Sequence, residues 1–65
     1  MYYIIFNSSF TLGIVKFYDL DLFREMEKMD KKYVDKNYKI LIALSITYKN
    51  MELANYLINK YYTYL

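Results

Sequence analysis

The 65-residue chain contains no cysteine, no histidine and no proline, and it has a single glycine. Without cysteine or histidine there is no disulfide bond and none of the common zinc sites, which use thiolate or imidazole ligands. Ser8, Ser9 and Ser45 likewise have no histidine to activate them as nucleophiles. One glycine cannot build a glycine-rich phosphate loop. We therefore expect a protein that is not an enzyme and that uses no cofactor or metal.

The chain is also short for the amount of apolar surface that it carries. A domain of this size buries only about 60% of the surface that its unfolded chain exposes. Small domains without disulfides or metals commonly gain stability by association. Yet 57% of the residues are apolar, ten of them tyrosines, and the apolar ring and polar hydroxyl of tyrosine suit an interface. The composition therefore favours a module that is bound to a partner.

The apolar excess has a second explanation in the base composition of the gene. Phe, Tyr, Met, Ile, Asn and Lys, which have AT-rich codons, account for 38 of the 65 residues, whereas Gly, Ala, Arg and Pro account for four. An AT-rich genome would produce this skew without any selection for interfaces. The composition alone leaves both explanations open.

The spacing of apolar residues predicts one all-α domain of about four short helices, arranged as two stacked helical hairpins. We divide it into an extended apolar N-terminal segment (1–9), a first hairpin (10–29), a basic connection (30–37) and a second hairpin (38–65). Asn7, Ser8 and Ser9 interrupt the first apolar run, so no stretch of about 20 apolar residues can span a membrane. The first residues also lack the basic start and length of a signal peptide, which predicts a cytoplasmic, non-secreted protein.

Side-chain oxygens mark the helix starts, because they can accept the unpaired N–H groups of a first turn. They occur at Ser8 or Ser9, at Asp19 and at Asn50. Gly13, inside the first predicted helix, indicates either a close approach of another helix or a later helix start. The predicted inner faces are Phe10, Ile14 and Phe17, then Leu22, Phe23, Met26 and Met29, and finally Leu53, Leu57, Ile58, Tyr61 and Leu65. Arg24, Glu25, Glu27 and Lys28 are predicted to face water.

The two halves of the chain align at an offset of 31 residues, so that residues 15–22 pair with residues 46–53 and Asp19 pairs with Asn50. Fixed periods of 20–50 residues are typical of stacked helical units. Over residues 10–61 the pattern resembles the ankyrin repeat, although the Thr-Pro-Leu-His start and the turn glycine of that family are absent. The resemblance implies two degenerate helical hairpins that mediate protein–protein interaction.

A cluster of basic and aromatic residues occupies the predicted connection and the start of the next helix. Its members are Lys31, Lys32, Tyr33, Lys36, Tyr38 and Lys39. RNA-binding surfaces use lysine for phosphates and tyrosine for base stacking, so these six residues are candidates for nucleic-acid binding. The alternative is a solvated linker with tyrosines anchored in the core. The candidate partner-binding residues are Tyr2, Tyr3, Phe6, Tyr62 and Tyr64.

These features lead to two functional hypotheses. The first is a non-catalytic structural subunit of a larger protein or RNA–protein assembly, such as a small ribosomal protein, that makes RNA phosphate contacts. The second is a stand-alone, ankyrin-like interaction adaptor. The net charge of +2 permits nucleic-acid binding without requiring it. The salt dependence of partner binding distinguishes the two hypotheses, because phosphate contacts weaken steeply as the salt concentration rises.

Overall fold

The computed structural model describes the backbone of residues 2–62 and the side chains of residues 10–62. Within that part of the chain there is no β-strand, and the predicted all-α fold with four helices is confirmed. The helices are α1 (Tyr2–Phe17), α2 (Leu20–Met29), α3 (Lys31–Thr47) and α4 (Met51–Tyr62).

The first helix begins well before the position that the sequence predicts. An extended segment over residues 1–9, with Ser8 or Ser9 capping the next helix, is wrong for residues 2–9, because the backbone is helical from Tyr2 onward. No glycine or proline interrupts these residues, and isoleucine or tyrosine costs only a few tenths of a kcal/mol in a helix. A helix also pairs the backbone N–H and C=O groups of this apolar stretch within itself.

The predicted basic connection over residues 30–37 is also wrong, since residues 31–37 form the first two turns of α3. Asp30 alone separates α2 from α3. Its backbone N–H donates to the Met26 carbonyl and ends α2, while its side chain accepts from the Tyr33 N–H and starts α3. Val34 in these turns is fully buried, so the segment belongs to the core as well as to the helix.

The turn between α3 and α4 is closed by two backbone hydrogen bonds of the Schellman type. The Asn50 N–H donates to the Ser45 carbonyl at 2.7 Å, and the Lys49 N–H donates to the Ile46 carbonyl at 3.2 Å. Lys49 has a φ of 63°, the left-handed region in which this motif usually places glycine. The Asn50 side chain then caps α4 at Leu53 and donates 2.9 Å to the Val15 carbonyl of α1.

The core draws side chains from all four helices, and α3 lies at its centre. Among the described residues, α3 packs against α1, α2 and α4. The helix α3 therefore forms a hairpin with α4 and also contacts both helices of the first half of the chain. The buried apolar residues are Ile14, Val15, Phe23, Val34, Leu41, Leu53, Ala54 and Leu57. Burying a side chain such as Phe23 completely contributes about 1.5–3 kcal/mol. The outer surface of α3 is therefore carried on the helix that packs against the other three.

Gly13 lies inside α1, with α1 continuous on both sides of it. A Cβ added there would meet no described atom within 4 Å. A close helix approach and a later helix start are therefore both wrong as explanations of this glycine. The position keeps the cost of a helical glycine, about 1 kcal/mol relative to alanine.

Candidate functional site

Three lysines form a line along the exposed side of α3. Lys32, Lys36 and Lys39 follow at i, i+4 and i+7, so they share one face of the helix over about 10 Å. All three are exposed. The salt bridges among the described side chains involve Lys28 and Lys60 instead. The charges of this group, which we call the α3 lysine stripe, are therefore not neutralised by ion pairs.

A second group of cations surrounds a groove where α2, the start of α3 and α4 meet. The groove has a volume of about 290 Å³ and is lined by Arg24, Glu27, Lys28, Lys31, Tyr56 and Lys60. Four of these side chains are cationic and one is anionic, so the lining favours anions. Lys31 precedes Lys32 of the stripe in sequence and continues the basic surface from α3 into this basic groove.

Glu27 is a buried carboxylate within the basic groove, with only 7% of its surface exposed. It accepts a hydrogen bond of 2.6 Å from the Tyr56 hydroxyl and a charge-assisted one from the Lys60 ammonium group. Burial and the bond to Glu27 raise the pKa of Tyr56. The bond to Glu27 also raises the pKa of Lys60. Because both donors lie on α4, this network joins α2 to α4.

The expectation that Glu27 faces water is wrong. Glu27 follows Phe23 by four residues, so the two share the face of α2 that packs on the core. Phe23 contacts the Tyr56 ring edge-on, with ring centroids 6.1 Å apart, and this places the Tyr56 hydroxyl within reach of Glu27. The i, i+4 spacing from Phe23 is the sequence signal for this burial, although the partner on α4 could not be read from it.

The tyrosines of the predicted RNA-binding cluster are used in packing, unlike its lysines. The Tyr33 hydroxyl shares a 2.5 Å hydrogen bond with Thr11, and its ring meets Phe10 with centroids 5.3 Å apart. Burial raises the pKa of Tyr33. Tyr38 stacks on Tyr61 at 4.1 Å between centroids, with the ring planes 8° apart. The structure thus brings the lysines together on the outside of α3 and directs these two rings toward neighbouring helices.

The candidate partner-binding residues fall mostly outside the described side chains. This is the case for the side chains of Tyr2, Tyr3 and Phe6 and for Tyr64 as a whole. Tyr62 is 43% exposed, and its ring lies 5.9 Å from that of Tyr38. Of this set, the side chain of Tyr62 is the one that the structure describes. It lies at the end of α4, beside the stacked pair of Tyr38 and Tyr61.

The structure also has an apolar surface on α1 and α2, and all of its residues except Tyr18 were expected to lie in the core. Phe10, Phe17, Leu22 and Met29 are 50%, 80%, 49% and 88% exposed, so their predicted inward orientation is wrong. α2 contributes Phe23 and Glu27 to the interior, which leaves Leu22 and Met29 on its outer side. The apolar α1–α2 surface consists of Phe10, Phe17, Tyr18, Leu22, Met26 and Met29.

Two hollows lie in this surface, with volumes of about 280 and 370 Å³. Both are lined by Phe10 and Tyr18, so they adjoin one another. Gly13, Ile14 and Phe17 complete the lining of the first, while Met26 and Met29 belong to the second. The signal in the sequence was an excess of apolar residues on short helices, which cannot all face one small core.

Comparison of the chain with protein-family models, curated proteins and solved structures gives no match. Between residues 10 and 62, no three acidic side chains are grouped closely enough to hold a metal ion. None of the helices in the described part of the chain combines the length and the apolar character needed to cross a membrane.

Proposed function

We propose that the protein is a non-catalytic subunit of a ribonucleoprotein assembly, such as a small ribosomal protein, that contacts RNA phosphates through the basic surface of α3. The observation that carries this proposal is the α3 lysine stripe. Lys32, Lys36 and Lys39 are exposed, aligned on one face and without ion pairs to the side chains of residues 10–62. A phosphate backbone offers a row of negative charges that such a line can meet at several points.

The mode of contact follows from what the neighbouring tyrosines do. Tyr33 is bonded to Thr11 and Tyr38 is stacked on Tyr61, so the lysines are the groups available to a ligand. Lysine contacts to phosphate position a protein on nucleic acid without reading its sequence. The proposal is therefore sequence-independent phosphate binding, with little contribution from base stacking.

The basic groove extends the same surface toward α4. Its Arg24 lies 6.0 Å from the centre of the Tyr56 ring, and Lys31 stands at the first turn of α3. The carboxylate of Glu27 is already held by Tyr56 and Lys60, which reduces its repulsion of an incoming anion. Without Lys28 and Lys60, which are paired with Glu25 and Glu27, stripe and groove together supply five cationic groups, enough for moderate affinity at low salt. An assembly of this kind would place the protein in the cytoplasm.

The test is a binding assay with fluorescently labelled poly(U) RNA at low salt. The variant K36Q/K39Q removes two stripe charges far from the caps of α3, and K16Q/K49Q removes the same total charge elsewhere. We expect K36Q/K39Q to weaken the affinity for poly(U) about tenfold or more. The affinity of K16Q/K49Q should be close to that of the parent protein. Equal losses in both variants would mean that only net charge matters, and no binding by the parent protein would contradict the proposal.

A second candidate function is the ankyrin-like interaction adaptor, and one observation favours it. Asp19 and Asn50, which are 31 residues apart, cap α2 and α4 by the same type of bond, to Leu22 N at 2.8 Å and to Leu53 N at 3.3 Å. A repeated helical unit would place such caps at equivalent positions. For an adaptor, partner binding would be indifferent to the stripe lysines and nearly independent of salt.

A further inference from the structure

The apolar α1–α2 surface is too exposed and too continuous to be ordinary surface variation. Scattered single apolar residues need no explanation, but contiguous exposed apolar patches mark interaction sites. Here Phe17 and Met29 are 80% and 88% exposed, and the two adjoining hollows both contact Phe10 and Tyr18. This surface therefore has a shape into which apolar side chains can be inserted.

The floor of the surface is held in place by the core. Ile14, which lines the first hollow, is only 1% exposed, and Tyr18 and Met26 pack against the core cluster. The Tyr18 N–H also donates 3.0 Å to the Ile14 carbonyl at the end of α1. A floor fixed in this way is preformed, so a ligand would lose little affinity in ordering it.

The charges around the surface indicate the kind of partner that fits. Glu25 and Asp30 line the second hollow, and Asp21 is exposed on the same helix. Lys28 pairs with Glu25, so Asp21 and Asp30 are the rim carboxylates without an ion pair among the described side chains, while Lys16 lies over the Tyr48 ring and Arg24 over the Tyr56 ring. The rim of the apolar surface is therefore acidic.

We infer that the apolar α1–α2 surface binds an amphipathic helix of a partner protein whose apolar stripe is flanked by lysine or arginine. Helices that dock in a groove insert side chains spaced at i, i+3, i+4 and i+7, and two adjoining hollows can each take such side chains. Basic residues beside the stripe would meet Asp30 and Asp21, which have no ion pair among the described side chains. The inference concerns a different surface from the RNA contacts proposed above and stands without them.

The test uses two synthetic stapled helices of about 15 residues, identical in their leucine stripe. One carries lysine at the flanking positions and the other carries glutamate. The full chain is labelled at its methionine methyl groups, because Met26 and Met29 lie on the surface whereas Met51 is exposed on α4. We expect the basic helix to shift the Met26 and Met29 signals and to leave Met51 unchanged. The acidic helix should bind about three- to tenfold more weakly.

Variants at exposed positions separate the surface from the fold. F17S and M29S should each weaken the basic helix severalfold, and I46S, at a 50% exposed position on α3, should not. E25K should reverse the preference between the two helices. Equal affinity for both helices, no saturable binding up to about 1 mM, or equal shifts at Met51 would overturn the inference. The inference would also be overturned if the Met29 signal shifted with protein concentration alone and this shift were absent in F17S. The occupant of the surface would then be a second copy of the chain.

Discussion

The Tyr56 hydroxyl of α4 donates a 2.6 Å hydrogen bond to the carboxylate of Glu27 on α2, which is only 7% exposed. E27A should lower the free energy of unfolding by about 1–3 kcal/mol, because it leaves the Tyr56 hydroxyl without its acceptor. E27Q should cost less, since its amide oxygen can still accept that bond. Urea denaturation measures both changes.

The matched control for that prediction is E25A, which breaks the exposed Lys28–Glu25 pair on the same helix. Exposed pairs of this kind contribute little, so the change should stay within about 0.5 kcal/mol. If E25A and E27A were equally destabilising, the network between α2 and α4 would not be the cause.

The hydrogen bonds of Tyr56, Tyr61 and Lys60 predict a loss of stability at alkaline pH. Burial and the bond to Asp35 raise the pKa of Tyr61, and the pKa values of Tyr56 and Lys60 are also raised, from ordinary values of 10.0 for tyrosine and 10.5 for lysine. The folded protein therefore holds these protons more tightly than the unfolded chain. Their contribution is complete below about pH 10 and is lost as pH rises through the raised values.

The measurement is the midpoint of urea denaturation between neutral and strongly alkaline pH. Y61F keeps the ring that stacks on Tyr38 but removes one titrating group, so its decline above about pH 10 should be shallower. A parent protein whose midpoint stayed constant through about pH 11, or a Y61F decline as steep as that of the parent, would contradict this explanation.

Lys49 occupies the left-handed position of the turn between α3 and α4, with a φ of 63°. Because a side chain in that conformation costs roughly 1–2 kcal/mol relative to glycine, K49G should raise the free energy of unfolding by about 1 kcal/mol. K49A is the control, since it shortens the side chain without relieving the backbone. Equal effects of K49G and K49A would assign the change to the lysine side chain instead.

Gly13 offers the opposite test inside α1. The position is open, with no described atom within 4 Å of an added Cβ, so G13A should stabilise the protein by about 1 kcal/mol through helix propensity. Thermal unfolding followed by circular dichroism measures the change. Destabilisation by G13A would mean that another helix approaches this position closely.

The sequence predicts the existence of four helices better than their limits. The caps at Asp19 and Asn50 could be recognised because each needs only a local side-chain oxygen near the first free N–H groups. The dual role of Asp30 could not, since one residue that both ends α2 and starts α3 leaves no polar connection to recognise. The result is that residues 31–37, which look like part of a linker, form helix.

The choice of buried face was less predictable from sequence than helix formation. Phe23, Leu53 and Leu57 were correctly expected inside, and they are at most 1% exposed. Phe17 and Met29 were expected there on the same spacing, yet they are exposed, because periodicity does not say which of two apolar faces meets α3. The lysines of the candidate site could be listed from the sequence, but their alignment on one helix face depended on α3 beginning at Lys31.

We propose that the α3 lysine stripe binds RNA phosphates, and phosphate binding would make the affinity for poly(U) fall as salt rises. The slope of log K against log salt measures how many phosphate contacts are made, at about 0.7 per contact for single strands. K36Q/K39Q should therefore reduce the slope by about 1.4 relative to the parent protein, whereas K16Q/K49Q should leave it unchanged. A slope that is the same in the parent protein and in K36Q/K39Q would contradict the claim.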